Sequence, residues 1–212
     1  MNDHLASSSF AELLDYRRQV AELYAEVRRS GSGAPGVHNR FQEGRNDLFA
    51  AHPQSPLSPP QRRGFTGLSF FPYEPSLRFC LSVDTDVQAE VFEVRLEDDG
   101  LVELERVAKV RLSLKGRTAE LSLFWLGGYG GGLFLPFRDA TNGAETYGGG
   151  RYLLDTIKGA ELGEEEGRLV IDFNYAYNPS CAYDSSWDCP LPPAENRLEL
   201  PIRAGEKAFS RP

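Results

Sequence analysis

The sequence predicts a mainly β protein, an antiparallel β-sandwich or partly closed barrel with N-terminal helices packed on one face or end. From residue 65 onward, the chain contains short runs rich in aromatic and β-branched residues, within which apolar and polar residues alternate. Turn residues separate these runs at intervals of about eight to twelve positions. No long helical pattern lies between these runs, so the crossovers that a parallel sheet needs are not indicated.

Two helices are predicted before the strands begin. Residues 7–29 carry apolar side chains at spacings of three and four, which gives one apolar stripe, and Ser9 with Glu12 fits a capping box. This helix should end at Ser30, because the following glycines and proline cannot continue it. A shorter helix is predicted over residues 39–50, and a proline-rich connector follows, which we expect to be extended. We therefore divide the chain into a helical segment, 1–52, and an antiparallel β domain, 53–212, that form one compact unit.

Nine strands are predicted after the connector, with turns at Asp99-Gly100, at Lys115-Gly116 and in the glycine run of residues 127–132. The predicted strands cover residues 65–71, 77–83, 87–96, 101–113, 118–126, 132–138, 150–155, 168–176 and 197–203.

Composition and charge exclude several classes of function. A formal net charge of −8 and a pI near 5.0 argue against the basic surface that nucleic acids or anionic membranes require. No segment approaches the roughly 20 apolar residues that span a bilayer, and no signal peptide is indicated. With three cysteines in 212 residues, we expect a soluble cytoplasmic protein. The sequence leaves the oligomeric state open.

The strand RLVIDFNYAYN, residues 168–178, carries an unusual polar stripe. Strict alternation would place Asp172, Asn174 and Asn178 on one face, and Ile171, Phe173, Tyr175 and Tyr177 on the other. Short Asp and Asn side chains are depleted in strands because they compete with the backbone for hydrogen bonds. The stripe is either a solvated face or, as we favour, part of a polar network or pocket.

Two arginines could pair with this stripe. Arg138 and Asp139 follow an apolar strand, and Arg151 follows a run of three glycines. A guanidinium group that meets a buried carboxylate gains a charge-assisted hydrogen bond, whereas an unpaired buried charge is costly. Each arginine could therefore neutralise Asp139 or Asp172 and hold strand ends together. Alternatively, one guanidinium could remain free to bind the carboxylate or phosphate of a small ligand.

Several catalytic and metal sites are not indicated. The glycine run lacks the Lys-Ser/Thr pair of a P-loop, and no G-x-S-x-G motif is present. All three histidines lie in the first quarter of the chain, far in sequence from the polar motifs, which makes a Ser-His-Asp triad or a histidine-rich metal site improbable. Cys181 and Cys189 match neither a CxxC pair nor common zinc spacings, so free thiols or a disulfide are expected, and neither a metal nor a cofactor.

The motifs after residue 50 resemble a family of bacterial and archaeal proteins catalogued as domain of unknown function 1684. The segments that carry the resemblance include RDATNG, TYGGGRY, DFN-x-AYNP and CPLPP-x-ENRL, in this order. Ser180 departs from the pattern, which expects proline or a bulkier residue before Cys181. The resemblance implies no activity. It does imply that the motif residues lie together in the folded chain. These residues are Arg138, Asp139, Thr141, Tyr147, Arg151, Asp172, Asn174, Tyr177, Asn178, Cys181, Asn196 and Glu206.

The leading functional hypothesis is a small-molecule binding protein with a polar, arginine-containing pocket for a compact polar or anionic ligand. Its predicted ligand-binding residues are Arg138, Asp139, Thr141, Tyr147, Arg151, Asp172, Asn174, Tyr177, Asn178 and Asn196. One alternative is an enzyme that uses Asp139 or Asp172 as general base, with an arginine stabilising negative charge. Another is a structural polar core with partner binding through the N-terminal helices, in which case the β domain should remain folded without residues 1–38.

Overall fold

The structure is a computed structural model that describes residues 3–96, 100–114, 116–128 and 130–210. Of the predicted turn residues, Asp99, Lys115 and Tyr129 lie outside the described residues. Three helices precede the strands: α1 Asp3–Ser30, α2 Val37–Ala51 and α3 Pro59–Arg63.

Two antiparallel sheets form the β part of the molecule. The strands are β1 Arg78–Leu81, β2 Val83–Asp84, β3 Val91–Leu96, β4 Gly100–Leu114, β5 Arg117–Leu126, β6 Gly132–Phe137, β7 Arg151–Asp155, β8 Glu164–Glu165 and β9 Arg168–Asp172. The smaller sheet has the order β1-β9-β8, and the larger has the order β2-β4-β5-β6-β7, with β3 also paired to β4. All of these pairs are antiparallel. The predicted fold class is confirmed, and neither sheet closes into a barrel within the described residues.

Two hydrophobic clusters hold these layers together. One joins the two sheets through side chains such as Val110, Leu121 and Phe137 of the larger sheet and Ile171 of the smaller one. The other is shared between the helices and the sheets, and it contains Val20, Tyr24 and Val27 of α1, Val37, Phe41 and Leu48 of α2, and Leu104, Phe124, Phe134, Tyr152 and Tyr175 of the β part. The helices therefore bury their apolar faces directly on the β layers.

The helix predictions need three corrections. Helix α1 begins at Asp3, so Ser9 lies inside it and does not cap it. Helix α2 begins at Val37, earlier than expected, after Gly36, which takes a left-handed conformation that suits glycine. The proline-rich connector is not wholly extended, because Ser58 and Gln61 form a capping box that starts α3. Proline at the first helical position is favourable there, since its fixed φ suits the helix.

Strand boundaries also differ from the predictions. Strand β3 begins at Val91 and not at residue 87, and β8 was not predicted. Residues 65–71 and 197–203 form no strand, only isolated bridges such as Phe70 with Glu206. Residues 77–83 divide between β1 and β2. Strand β9 ends at Asp172, because the Asp172 side chain accepts a hydrogen bond from the backbone N of Asn174 and starts a 3-10 turn. The strict alternation expected through residue 178 is therefore wrong.

Among the described residues, no helix is both long enough and apolar enough to cross a membrane.

Candidate functional site

The polar motifs of the sequence fold into three buried groups of side chains. The Arg151 cluster contains Asp139, Thr141, Thr146 and Arg151. The Asp172 cluster contains Tyr73, Asp172 and Asn174, and the Arg45 cluster contains Arg45, Tyr177, Asn178, Tyr183 and Glu206.

In the Arg151 cluster, β7 places a fully buried guanidinium group beside Asp139. Arg151 Nη2 donates to Asp139 Oδ2 at 2.9 Å, and both side chains are 0% exposed. The other carboxylate oxygen, Oδ1, accepts from the backbone N and the hydroxyl of Thr141 at 2.8 and 2.6 Å. Arg151 also donates to backbone carbonyl oxygens of the C-terminal segment, at Ile202 (2.9 Å) and Glu206 (3.2 Å).

This arrangement assigns a structural role to Arg151. A buried charge pair needs good geometry and further hydrogen bonds to offset the loss of hydration, and both are present here. The guanidinium group is bound to protein oxygens and has no exposed surface through which a ligand could reach it. Burial lowers the pKa of Arg151, and the nearby charge of Asp139 opposes this shift.

The Asp172 cluster is also buried, but its carboxylate is paired with neutral donors. Asp172 accepts from Asn174 Nδ2 at 2.7 Å and from the Tyr73 hydroxyl at 3.2 Å. Burial raises the pKa of Asp172, while these hydrogen bonds lower it. His38 of α2 bonds the carbonyl oxygen of Asn174 through Nε2 at 2.9 Å. The helices thus bring to this motif a histidine that lies far away in sequence.

Three other predicted residues, Asn196, Arg138 and Tyr147, lie outside these clusters. Asn196 is fully buried and donates to the carbonyl oxygens of Ser122 and Pro136 at 2.8 and 2.7 Å. Arg138 donates to the carbonyl oxygen of Gly148 at 2.7 Å, and the Tyr147 hydroxyl contacts Cys181 Sγ at 3.6 Å. The ten predicted residues are therefore distributed over several groups, and their side-chain hydrogen bonds do not converge on one ligand position.

The Arg45 cluster joins α2 to the C-terminal segment. Arg45 Nη2 donates to Glu206 Oε2 at 3.0 Å, and the two side chains are 7% and 1% exposed. The same carboxylate accepts from the backbone N of Asn178 at 3.2 Å and from the Tyr183 hydroxyl. The Arg45 guanidinium group also lies over the rings of Phe49 and Tyr177, at 5.2 and 5.3 Å from their centroids. Such contacts favour a cation between apolar walls.

A cavity of about 310 Å³ lies beside the Arg45 cluster, between α1, α2 and the segment from Tyr177 to Cys189. Its walls combine aromatic and apolar side chains with polar ones. The aromatic and apolar wall contains Leu13, Tyr16, Val20, Phe49, Ala160, Tyr183 and Trp187, and the polar wall contains Arg17, Tyr24, Arg45, Gln54, Lys158, Tyr177, Asn178, Ser180, Asp188 and Cys189. A cavity that combines apolar walls with convergent polar groups is the usual form of a small-molecule site.

Four residues in the wall of this cavity carry a buried polar atom that has no hydrogen-bond partner among the described residues. These atoms are the hydroxyls of Tyr24 and Tyr177, Nε of Arg45 and Oδ1 of Asn178. A buried polar group without a partner costs about 1–3 kcal/mol, and native proteins contain few of them. Their concentration around one cavity makes it the candidate functional site.

The site contains two predicted residues, Tyr177 and Asn178, and two that the sequence interpretation missed, Tyr24 and Arg45. A signal for Arg45 was present in the sequence. Phe41, Arg45 and Phe49 are spaced by four residues in α2, which places a charged side chain on the apolar face of the helix. A charged residue at such a position needs a buried partner, and that partner, Glu206, is 161 residues away in sequence.

Comparisons with known proteins agree with the sequence motifs. The profile of the family described as protein of unknown function (DUF1684) matches residues 63–207. A solution NMR structure of an uncharacterized protein from Haloarcula marismortui is 35% identical, with a TM-score of 0.58, and the match covers 80% of this chain and 91% of that chain. A search of curated proteins finds no match. The resemblance noted in the sequence is confirmed, and the chain belongs to the DUF1684 family.

Proposed function

We propose that this protein binds a compact small molecule in the cavity between α1, α2 and the segment 177–189. The supporting observation is the group of four buried polar atoms, on Tyr24, Arg45, Tyr177 and Asn178, that lack partners in the cavity wall. A ligand that supplies partners after small side-chain movements recovers the free energy lost by leaving these groups unsatisfied.

The chemistry of these atoms defines the class of ligand. The two tyrosine hydroxyls and Arg45 Nε can donate, and Asn178 Oδ1 can only accept. Since Glu206 already neutralises Arg45, the site does not require a highly charged ligand. We infer a molecule with an apolar or aromatic body, two or more acceptor oxygens and one donor group, such as a small hydroxy acid or a hydroxylated aromatic carboxylate. A cavity of about 310 Å³ lies at the small end of the usual range for such sites.

The general-base alternative has less support. Asp139 is bound to Arg151 with no exposed surface, and Asp172 is 2% exposed. A catalytic carboxylate must come within hydrogen-bond distance of the proton that it removes.

Removing a tyrosine hydroxyl in the cavity wall tests the proposal. Tyr24→Phe and Tyr177→Phe should leave the free energy of unfolding unchanged or raise it by up to about 1 kcal/mol, because the hydroxyls have no partner to lose. Both variants should lose most of the rise in Tm that wild type shows with ligands selected from a panel of small hydroxy acids, aromatic carboxylates, phosphates and sugars. Differential scanning fluorimetry measures this rise, which follows ligand occupancy.

Tyr175→Phe is the matched control. Its hydroxyl donates to the Ser32 carbonyl oxygen at 2.8 Å, so this variant should lose about 1 kcal/mol of stability and keep the ligand response. The proposal fails if no member of the panel raises the Tm of wild type. It also fails if the cavity variants respond to the ligands as wild type does.

We extend the proposal to the compartment, the cytoplasm, because all three cysteines are free thiols and a reducing environment maintains that state.

A further inference from the structure

Cys181 and Cys189 meet at the edge of the cavity, although eight positions separate them in sequence. Cys181 lies in the 3-10 turn Ser180–Ala182, and Cys189 precedes Pro190 in an extended segment. The backbone N of Cys181 donates to Cys189 Sγ at 3.3 Å, which places the Cys189 sulfur against Cys181. Both side chains are half-buried, so reagents in solution can reach them.

The surroundings of the pair stabilise one negative charge. The Tyr147 hydroxyl lies 3.6 Å from Cys181 Sγ. Hydrogen bonds from the Cys189 thiol and from this hydroxyl lower the pKa of Cys181 to about 6, although burial opposes the shift. The hydrogen bond to Cys181 and burial raise the pKa of Cys189. One thiolate is therefore shared by the pair at neutral pH, and a thiolate is the reactive form of cysteine.

The third cysteine, Cys80, lies in β1 in different surroundings. Its thiol donates to Glu165 Oε2 at 3.2 Å, and burial, together with that hydrogen bond, raises its pKa. Cys80 should therefore remain a protonated, slowly reacting thiol, and replacing it by serine leaves Cys181 and Cys189 as the two thiols of the chain.

We propose that Cys181 and Cys189 form a reversible dithiol–disulfide site that reacts with low-molecular-weight disulfides, with Cys181 as the attacking thiol and Cys189 as the resolving thiol. The argument rests on the contact of Cys189 Sγ with the backbone of Cys181, the access of both side chains to solvent and the Tyr147 hydroxyl beside Cys181 Sγ. It does not depend on the cavity binding a ligand.

The exchange proceeds in two steps. The Cys181 thiolate attacks one sulfur of a disulfide R–S–S–R, so a mixed disulfide forms on Cys181 and the first R–S⁻ leaves with the electron pair of the broken bond. Cys189 then loses its proton and attacks the Cys181 sulfur, which releases the second R–S⁻. The protein gives up two electrons, and the small disulfide is reduced to two R–S⁻ ions, which take up the proton released by Cys189 and one from the solvent to the extent that the pH requires.

Oxidation would link two parts of the cavity wall. Cys189, Ser180 and the neighbouring Pro179 all line the cavity. A covalent bond from Cys189 to Cys181 would join the 3-10 turn to the extended segment before Pro190 and restrict their relative motion.

Incubation with glutathione disulfide tests the assigned roles in a Cys80→Ser background. This parent protein should lose both remaining thiols and two hydrogens of mass, and digestion should yield one peptide pair linked through Cys181 and Cys189. Adding Cys189→Ala should trap a single glutathione on Cys181, whereas adding Cys181→Ser should leave Cys189 largely unmodified. Two free thiols in the parent after incubation would overturn the proposal, as would modification of Cys189 in the Cys181→Ser variant at the parent rate.

The pH dependence of alkylation tests the environment of Cys181 separately. In the same background, the rate of its reaction with iodoacetamide should reach half its maximum near pH 6, as the pKa of Cys181 requires. Cys189→Ala should move this midpoint upward, because the thiolate loses a hydrogen-bond donor. A parent midpoint at or above about pH 8, the range of an ordinary thiol, would contradict the proposal. Circular dichroism of each variant checks that it is folded.

Discussion

At the scale of single residues, the buried polar groups differ in how completely they are satisfied. The Asp139 carboxylate accepts from Arg151, from Thr141 and from the backbone N of Ile202, which leaves it no capacity for a ligand. Arg45 binds Glu206 through Nη2, yet its Nε has no partner among the described residues. Arg151 Nε also lacks a partner among the described residues, but Arg151 does not line the cavity. Unsatisfied polar groups in a cavity wall can gain bonds from a ligand, so their position in that wall separates the candidate binding site from the structural polar core.

His38 provides a pH prediction at this scale. Its ring donates from Nε2 to the Asn174 carbonyl oxygen, which requires either the neutral Nε2–H form or the cation. Burial lowers the pKa of His38 below the ordinary histidine value of about 6.5, and the hydrogen bond and the charge of Asp172 only partly oppose this. The folded state therefore binds its proton less readily than the unfolded state does. The stability contributed by neutral His38 is complete above pH 6.5 and is lost as the pH falls through the lower folded pKa.

Urea unfolding between pH 7.5 and pH 5 measures this effect. The free energy of unfolding of wild type should fall more steeply than that of His38→Gln, by up to about 1.4 kcal/mol per pH unit for one proton. Glutamine can keep the donor to Asn174 and cannot titrate. Parallel slopes for the two proteins would show that His38 does not titrate differently in the folded and unfolded states.

At the scale of elements, the C-terminal segment is held by isolated backbone hydrogen bonds and by side chains, without a regular strand. Residues 197–203 form no strand, yet Ile202 and Ala204 are buried in the core between the sheets. Arg151 of β7 donates to three carbonyl oxygens along this segment, those of Ile202, Ala204 and Glu206. One guanidinium group thus replaces part of the hydrogen bonding that a neighbouring strand would supply.

Arg151→Met should therefore destabilise the protein by about 3–5 kcal/mol. The substitution leaves the Asp139 carboxylate buried without its charge partner and removes donors from buried carbonyl groups. Denaturant unfolding monitored by fluorescence measures the loss. Arg203→Met is the control, because Arg203 is 60% exposed in its ion pair with Glu145, and exposed pairs contribute about 0–1 kcal/mol. Equal effects of the two substitutions would contradict the structural role of Arg151.

At the scale of the whole molecule, the helices and the β layers share one interior. Val20, Tyr24 and Val27 of α1 are buried in the same cluster as Phe124 and Phe134 of the larger sheet. The Arg45–Glu206 pair adds a buried ionic contact between α2 and the C-terminal segment. The cavity also lies at this boundary, so the candidate site exists only when both parts are folded together.

Deleting residues 1–30 should consequently unfold or strongly destabilise the remainder. The loss of α1 exposes the apolar side chains that Val20, Tyr24 and Val27 cover, and deleting large buried side chains costs about 2–5 kcal/mol at each site. This prediction is the opposite of the partner-binding hypothesis, which expects the β domain to remain folded without residues 1–38. Circular dichroism and thermal unfolding of the truncated chain measure the outcome, and a sharp transition near the wild-type Tm would contradict it. Full-length Leu14→Ala is the control, because Leu14 is 60% exposed.

Local sequence patterns predicted much of the fold. The long alternating runs of β4 and β5 and the apolar stripe of α1 were located to within a few residues, because strand alternation and helix periodicity depend on near neighbours. Residues 65–71 and 197–203 also alternate, yet neither forms a strand. An apolar pattern indicates burial, but a strand also needs a partner with free backbone groups, and only the folded chain supplies it.

The sequence by itself determined that the chain is mainly antiparallel β with helices first, that it belongs to its family, and that Asp139, Arg151, Asp172 and Asn174 are polar residues needing partners. Only the tertiary structure decided which partners they find: Arg151 binds Asp139, Asp172 binds neutral donors, and Arg45 from α2 meets Glu206 at a separation of 161 residues. Periodicity and turn preferences act over a few residues. Pairing of buried charges depends on contacts between distant segments, which form only when the chain is folded.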